Sequence, residues 1–256
     1  MIKQFNHMWR LFGTCLSFSV FGIVGILLGM LVLPLTFVFV RDSQKRRKIS
    51  RSAIGMAFHW FARLMKALGV LDYRITGMEQ LEAGGNRMII ANHPSLIDVV
   101  FLLSMFPMAD CVVKKAVIHN PFMLGAVRPA DYISNDDTGS FLEDSIQRLK
   151  AGSNLILFPE GTRTVPGQAL VFKMGAASIA VRADAEILPV VINCTQTGYL
   201  SKHKPWYWIP EQKPIYEIKV HAPLKQNDLV QSSRNQRDAT HQLNSALMAY
   251  YSAKID

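Results

Sequence analysis

The chain has 256 residues, 50% of them hydrophobic, and its 28 Lys and Arg against 19 Asp and Glu give a net charge of +9. A basic chain suits an anionic partner, but it has no zinc-finger pattern, RNA-binding aromatic signature or long basic helix, which argues against nucleic acid and leaves a membrane surface or an acidic ligand. The wide spacing of Cys15, Cys111 and Cys194 fits neither a metal site nor a disulfide framework, so no bound metal is expected.

A long apolar segment lies near the start of the chain. Residues 11–40 contain no charged side chain, and as one straight helix they would run roughly 45 Å, beyond a hydrocarbon core of about 30 Å. Pro34 gives a reason for a kink or a turn. Two geometries are therefore open: a single tilted membrane span, or a shallow hairpin that enters and leaves on the same side.

A run of basic residues follows the apolar segment: Arg41, Lys45, Arg46, Arg47, Lys48 and Arg51. The positive-inside bias places this flank, and the domain after it, on the cytoplasmic side of the inner membrane. The same charges favour anionic lipid headgroups, although a solvated linker is the alternative interpretation. We therefore divide the chain into a membrane segment with its basic flank, residues 1–48, and a domain of residues 49–256.

Alternating strand and helix patterns follow in the rest of the chain. Helical periodicity marks 49–69, 96–105, 141–149, 174–182 and 239–250. Short apolar or alternating runs predict strands at 72–76, 88–91, 111–113, 155–158, 187–192 and 216–221. These elements predict an α/β fold: a single domain with a mixed, largely parallel sheet flanked by helices, preceded by an N-terminal membrane helix or helical hairpin.

Directly after the second predicted strand comes the polar string Asn-His-Pro-Ser-Leu-Ile-Asp, residues 92–98. A neutral imidazole can take a proton from an alcohol near neutral pH, and it needs an orienting acceptor on its other nitrogen. For His93 the nearest carboxylate in sequence is Asp98, one turn into the helix predicted to follow, and Ser95 is placed to cap that helix. Taken alone, the string also fits a structural His at a strand end.

A second polar string, Phe-Pro-Glu-Gly-Thr-Arg-Thr, follows the strand predicted at 155–158. A glycine lets backbone amides turn inward, the hydroxyl adds a donor, the guanidinium offers a planar fork for phosphate, and the carboxylate can orient that fork or a ligand hydroxyl. Lys173 is a further candidate for the same anion pocket. The alternative is a polar turn with a local ion pair. The candidate residues within the string are Glu160, Gly161, Thr162 and Arg163.

Several catalytic patterns are absent from the sequence. There is no G-x-S-x-G elbow for a covalent serine esterase, and no Walker A or G-x-G-x-x-G string for a nucleotide. The histidines other than His93 form no ligand cluster with metal spacing. A base without a nucleophile suits direct transfer onto an acceptor hydroxyl.

Together these motifs resemble a known family. The order N-H-x-x-x-x-D, then F-P-E-G-T-R, then an apolar strand containing Pro189 is similar to the glycerolipid acyltransferases, typified by 1-acylglycerol-3-phosphate acyltransferase, over residues 70–195. The resemblance implies direct acyl transfer from acyl-CoA or acyl carrier protein to a lysolipid hydroxyl, with no cofactor. It implies that His93 is the general base and Asp98 its orienter. The substrate-binding residues that it implies are Lys115, Glu160, Gly161, Thr162, Arg163 and Lys173.

One position departs from the family pattern. Lys114, Lys115 and the turn from Asn120 to Gly125 fit the second family block, but Asn135 stands where an Arg is expected. An Asn has no charge for a phosphate, although Arg128 is close in sequence. Lysophosphatidic acid, another lysophospholipid, an amino-acid lysolipid or a specialised carrier-protein product therefore all remain open as acceptor or product. A lipid hydrolase and a non-catalytic membrane or carrier-protein binding module are the competing functions.

Overall fold

The structure is a computed structural model that describes residues 2–81, 86–113, 128–135, 138–230 and 233–255. Its helices are α1 Ile2–Leu27, α2 Leu33–Phe39, α3 Ser43–Ala67, α4 Asp98–Met105, α5 Thr138–Lys150, α6 Met174–Ala183, α7 Gln226–Leu229 and α8 Gln236–Ser252. A π-helical turn spans Leu28–Val32 and a 3₁₀ turn spans Met78–Leu81. The strands are β1 Asp72–Thr76, β2 Arg87–Ala91, β3 Asp110–Val113, β4 Ile133–Ser134, β5 Leu155–Leu157, β6 Glu186–Cys194 and β7 Ile215–Val220.

The chain divides into two compact units. The first unit consists of residues 1–72, 99–141 and 209–213, and the second unit consists of residues 73–98, 142–208 and 214–256. The predicted boundary between residues 48 and 49 falls inside α3, and the functional division there stays a prediction. The fold-class prediction is confirmed: the chain is an α/β protein with a mixed, largely parallel sheet and an N-terminal apolar helix.

In the first unit, the apolar segment forms one unbroken helix. It runs from Lys3 to Phe39 and is long and apolar enough, by length and composition, to cross a membrane. The sequence left two geometries open for this segment. The structure has a single helix and no hairpin within it. Pro34 lacks an N–H and crowds the preceding turn. The wider π-helical turn lies immediately before it, which lets the helix continue.

Helix α3 folds back along α1 in the first unit. The Trp9 indole donates a hydrogen bond to the Leu68 carbonyl (2.9 Å), and the rings of Phe21 and Phe61 pack with centroids 4.5 Å apart. A Cβ atom on Gly13 would lie 2.8 Å from Val70, so this glycine permits the close approach. Contacts between early residues of one helix and late residues of the other show that α1 and α3 run antiparallel.

The basic run after the apolar segment lies in α3 from Lys45 onwards, so this part of it is helical and not a linker. Arg51 is 3% exposed; its Nη2 lies 2.5 Å from the fully buried Asp110, and its Nε donates to the Ala130 carbonyl at 2.9 Å. The guanidinium of Arg47 donates to both oxygens of the same carboxylate, at 2.8 and 2.9 Å. Two of the predicted headgroup-binding arginines therefore stabilise the first unit internally.

We predict that Asp110→Ala lowers the free energy of unfolding by about 3–5 kcal/mol, because it leaves buried guanidinium charge without its partner. The matched control is Glu143→Ala, which removes an exposed helix partner of Arg182 and should cost less than about 1 kcal/mol. Denaturant unfolding of both variants measures the difference. Equal losses would show that the buried pair contributes no more than a surface pair.

Five strands form the sheet of the second unit, in the order β1-β7-β6-β2-β5. Strand β2 is fully buried and pairs in parallel with both β5 and β6, while β7 pairs antiparallel with β6. In the first unit, β3 and β4 pair in parallel. A strand buried on both faces explains the continuous apolar run Met88-Ile89-Ile90-Ala91.

Pro189 lies inside a paired strand, where proline is uncommon because it cannot donate to the ladder. It stands opposite Ile90 in the parallel pairing of β2 with β6. The buried hydroxyl of Tyr251, from α8, donates to the Ile90 carbonyl at 2.6 Å. Helix α8 therefore supplies a hydrogen-bond donor at the point of the sheet where Pro189 has no backbone N–H.

Candidate active site

Both polar strings lie at the same edge of the second unit's sheet. Residues 92–98 follow β2 and residues 158–164 follow β5, and these strands are parallel neighbours with Ile90 opposite Leu157. The carboxyl ends of adjacent parallel strands are the usual place for a site in an α/β fold. The loops are joined directly, because the Thr164 N–H donates to the His93 carbonyl at 2.7 Å.

His93 and Asp98 form a hydrogen-bonded pair. Nδ1 of His93 lies 2.8 Å from Oδ2 of Asp98. Asp98 is fully buried, whereas the His93 side chain keeps 20% of its surface exposed, so the imidazole is the member of the pair that an external molecule can reach. The ring stacks on Phe158, with centroids 4.2 Å apart and planes 22° apart, which restricts its rotation.

Ser95 anchors the carboxylate of Asp98. Its N–H donates to Oδ2 at 2.6 Å and its hydroxyl donates to Oδ1 at 2.5 Å. This is the return half of a capping box, in which an acidic side chain at the helix start reaches back to the capping residue. Helix α4 begins at Asp98, and Ser95 donates to its carboxylate, so the predicted capping of the helix by the Ser95 hydroxyl stays a prediction.

The environment of Asp98 sets the tautomer of His93. Burial raises the pKa of Asp98, while hydrogen bonds from His93 and Ser95 oppose that rise by favouring the ionised form. With Asp98 ionised, its carboxylate can only accept a hydrogen bond, so Nδ1 of a neutral imidazole would carry the proton and Nε2 would present a lone pair. That arrangement can accept a proton from a hydroxyl.

Glu160, in the second loop, connects that loop to the first. Its Oε1 accepts the His93 N–H at 2.9 Å and the Thr164 hydroxyl at 2.8 Å. Burial raises the pKa of Glu160, opposed by the hydrogen bonds from His93 and Thr164. The structure thus gives Glu160 a bracing role that the sequence did not suggest, and its predicted contact with substrate stays a prediction.

The guanidinium of Arg163 is held by backbone carbonyls and makes no ion pair with Glu160 among the described residues. Its Nη1 donates to Leu200 at 2.9 Å and to Ser201 at 3.0 Å. The segment around Leu200 was not among the predicted site residues, since carbonyl oxygens carry no signal in a sequence pattern.

Lys173 lies against the turn of the second string. Gly161 has φ of +66° and sits so close to this lysine that a Cβ atom there would be 2.8 Å from its Nζ. The backbone N–H of Lys173 donates to the Pro159 carbonyl at 2.8 Å. The structure therefore brings Lys173 beside the predicted anion loop, where Thr162 is also exposed.

Three further positions of the motifs are Asn92, Asn135 and Lys115. Asn92 is structural, because its side-chain amide exchanges two 2.8 Å hydrogen bonds with the backbone of Ile192. Asn135 is exposed, and its N–H donates to the Val113 carbonyl. Lys115, together with Lys114 and the turn that follows, lies outside the described residues, so its role stays a prediction.

Tyr216 and Cys194 lie behind Asp98 and were not predicted to belong to the site. Tyr216 is fully buried next to Ser95, Cys194 is partly buried, and burial raises the pKa of both the phenol and the thiol. The alternating exposure of β7 explains why Tyr216 points inward. Its alternation was visible in the sequence, but its contact with Ser95 depends on tertiary packing. Among the described residues, no group of three or more His, Cys, Asp or Glu could hold a metal ion.

Comparison with known proteins places this geometry in context. The family model described as Acyltransferase matches residues 72–193. The 1-acyl-sn-glycerol-3-phosphate acyltransferase of Helicobacter pylori is 31% identical over 176 residues, which cover 59% of this chain and 74% of that protein. A putative 1-acyl-sn-glycerol-3-phosphate acyltransferase of Caenorhabditis elegans is 34% identical over 153 residues, or 53% of this chain and 50% of that protein.

Other relatives are longer than this chain. The 1-acyl-sn-glycerol-3-phosphate acyltransferase of Saccharomyces cerevisiae is 31% identical over 54% of this chain and 48% of its own length, so the chain spans about half the length of the yeast and nematode proteins. The crystal structure of the 1-acyl-sn-glycerophosphate acyltransferase of Thermotoga maritima covers 97% of this chain and 98% of that one, with a TM-score of 0.73 at 21% identity. That similarity shows a shared fold.

We predict that Glu160→Ala lowers the free energy of unfolding by about 1–3 kcal/mol, because a backbone N–H and a hydroxyl lose their acceptor. Glu160→Gln keeps a carbonyl oxygen at Oε1 and should lose less than about 1 kcal/mol. Chemical denaturation compares the two variants. If both lose the same amount, the carboxylate charge matters more than its position as an acceptor.

We also predict that Asp98→Ala moves the His93 proton from Nδ1 to Nε2, because Nδ1 loses the carboxylate that accepts its hydrogen bond. Ser95→Ala is the matched control, since it keeps the carboxylate and should keep Nδ1 protonated. Imidazole ¹⁵N NMR distinguishes the tautomers. An unchanged tautomer in Asp98→Ala would place the orienting acceptor on another residue.

Proposed function

Because this chain belongs to the glycerolipid acyltransferase family, typified by 1-acyl-sn-glycerol-3-phosphate acyltransferase, we propose that it is an O-acyltransferase acting on a lysolipid. It moves a fatty acyl chain from an acyl thioester, on CoA or acyl carrier protein, to a free hydroxyl. The most specific form of the proposal has 1-acylglycerol 3-phosphate as acceptor and phosphatidic acid as product. The observation that carries it is the His93–Asp98 pair, 2.8 Å apart, beside the loop of residues 160–163.

The proposed reaction is a direct transfer. Nε2 of His93 removes the proton from the acceptor hydroxyl as its oxygen bonds to the thioester carbonyl carbon. The tetrahedral intermediate then collapses, the C–S bond breaks, and the imidazolium returns the proton to the departing thiolate. The products are an ester and a free thiol, and the reaction involves no covalent enzyme intermediate, metal or cofactor.

Asp98 supports both stages of this reaction. Before proton transfer it keeps the lone pair on Nε2, and afterwards its carboxylate stabilises the imidazolium. The hydrogen bonds from Ser95 and the stacking of His93 on Phe158 keep the pair in one orientation. Such preorganisation lowers the barrier because the groups need not reorient during the reaction.

Stabilisation of the oxyanion is assigned to backbone amides near the site. Three nearby amides are already engaged, since His93 donates to Glu160, Thr164 to His93, and Gly161 to the Phe158 carbonyl. The oxyanion donors in this proposal are therefore other amides of the two loops.

A lipid substrate implies contact with a membrane. The exposed apolar side chains of the N-terminal helix support membrane binding, among them Phe5, Phe12, Ile23 and Phe39. Basic residues after this helix favour the cytoplasmic face of the inner membrane, where acyl-CoA and acyl carrier protein are present. In this proposal the membrane lipids and the acyl donor are the partners, with no role for nucleic acid.

The experiment is an acyl-transfer assay on the membrane-bound protein, with labelled acyl-CoA and acyl carrier protein as donors. Acceptors are lysophosphatidic acid and a panel of other lysolipids. We expect labelled ester to form, and we expect His93→Ala to lower the rate by at least about 100-fold because proton transfer is lost. Phe158→Leu, which removes only the stacking ring, is the milder control.

Each outcome of the assay separates the competing functions. Ester formed only from another lysolipid would make lysophosphatidic acid the wrong acceptor. Free fatty acid without ester would indicate a hydrolase, and no turnover with any donor would favour a binding module. His93→Ala at the wild-type rate would defeat the assignment of the base.

A further inference from the structure

A cavity of about 240 Å³ lies beside Arg163 in the second unit. It is smaller than the roughly 300–1,000 Å³ of sites that hold a drug-sized ligand, so it suits a headgroup better than a whole lipid. Among the described residues, its lining includes two cationic side chains and no carboxylate. The lining residues are Leu96, Arg163, Leu200, Ser201, Lys204 and Trp206.

The wall of this cavity orients Arg163. The Leu200 carbonyl accepts from both the Leu96 N–H (3.0 Å) and the Arg163 guanidinium (2.9 Å). Leu200 has φ of +53°, in the left-handed region, which is costly for leucine and persists only when surrounding contacts impose it. This strained residue therefore connects the segment after β6 to both site loops.

Arg163 keeps donors for a ligand. Its Nη1 is occupied by the Leu200 and Ser201 carbonyls, and among the described residues Nη2 and Nε make no hydrogen bond. A guanidinium fixed on one side and open on the other is suited to a bidentate contact with a phosphate.

Lys204 is the second cation of the cavity. Its Nζ lies 5.1 Å from the centroid of the Trp208 ring, a cation–π contact that restrains a flexible ammonium group. With Arg163, it gives this small space a positive potential without a compensating carboxylate. Neither residue type nor spacing connects Lys204 to the two motifs in the sequence.

We propose that Lys204 is a specificity-determining residue of this cavity, where its ammonium group pairs with the anionic headgroup of the acyl acceptor. The inference rests on the proposed function. A phosphate on the acceptor and the phosphates of CoA share the chemistry that such a cavity recognises. We assign the acceptor because exposed apolar surface of Leu96 and Trp206 borders the cations, as suits a headgroup that continues into an acyl chain.

The test compares Lys204→Ala with Lys202→Ala, a neighbouring exposed lysine that does not line the cavity. In the full-length protein, lysophosphatidic acid and the acyl donor are varied in turn. For Lys204→Ala we expect the KM for lysophosphatidic acid to rise about tenfold, with kcat and the donor KM changed less than about twofold. Lys202→Ala should change neither KM, and Lys204→Arg should restore most of the affinity.

A binding arm makes the result independent of turnover. The probe is sn-glycerol 3-phosphate, titrated calorimetrically into wild type, Lys204→Ala and Lys202→Ala. Each protein is first checked for an unchanged thermal unfolding profile. Weaker binding only in Lys204→Ala supports the cavity. If wild type is active and Lys204→Ala keeps both its KM for the acceptor and its affinity for the probe, this inference is overturned. The proposed function is then left intact. An effect confined to the donor KM overturns it in favour of a CoA phosphate site.

If wild type shows no turnover with any donor, the proposed function fails, and the probe titration still decides whether the cavity binds an anionic headgroup. Equal KM shifts in Lys202→Ala and Lys204→Ala overturn the inference as well, because they show a general attraction of the basic surface for anionic lipid and no specific site.

Discussion

The parallel pairing of β2 with β5 on one side and β6 on the other is the constraint on which the site depends. It brings Ala91 and Leu157, the last residues of two strands and 66 residues apart in sequence, to one edge of the sheet. Ile90 lies opposite both Leu157 and Pro189.

 
His93 lies in the polar loop that follows β2, and Glu160 lies in the polar loop that follows β5. Without this pairing the two loops would not meet.

Within this edge, one carboxylate from each loop has a structural task that also serves the chemistry. Asp98 begins α4, accepts two hydrogen bonds from Ser95 and orients the His93 ring. Glu160 accepts the His93 N–H and the Thr164 hydroxyl, so it sets the distance between the loops. Burial raises the pKa of both groups, and their hydrogen bonds offset part of that cost. The imidazole therefore sits in a frame whose polar atoms are already satisfied.

The first unit depends on a different charge arrangement. Arg47 and Arg51 belong to a basic run that resembles a headgroup-binding flank, yet both point to the buried Asp110. A run of charges in sequence does not reveal which members face solvent, because helix α3 turns successive residues in different directions. The charges left for a membrane are therefore fewer than the composition suggests.

The α/β class, the positions of most helices and strands, and Asp98 as the candidate partner of His93 could all be predicted from the sequence. These features follow from local signals: apolar periodicity, strand-end loops and a spacing short enough for one turn to bridge. Family resemblance added the chemistry. Three contacts could be seen only in the folded chain: Glu160 braces the His93 loop, Arg163 donates to the carbonyls of Leu200 and Ser201, and Lys204 borders the same cavity. Those contacts join residues far apart in the chain, and several involve backbone atoms that every residue shares, so no pattern of side chains could predict them.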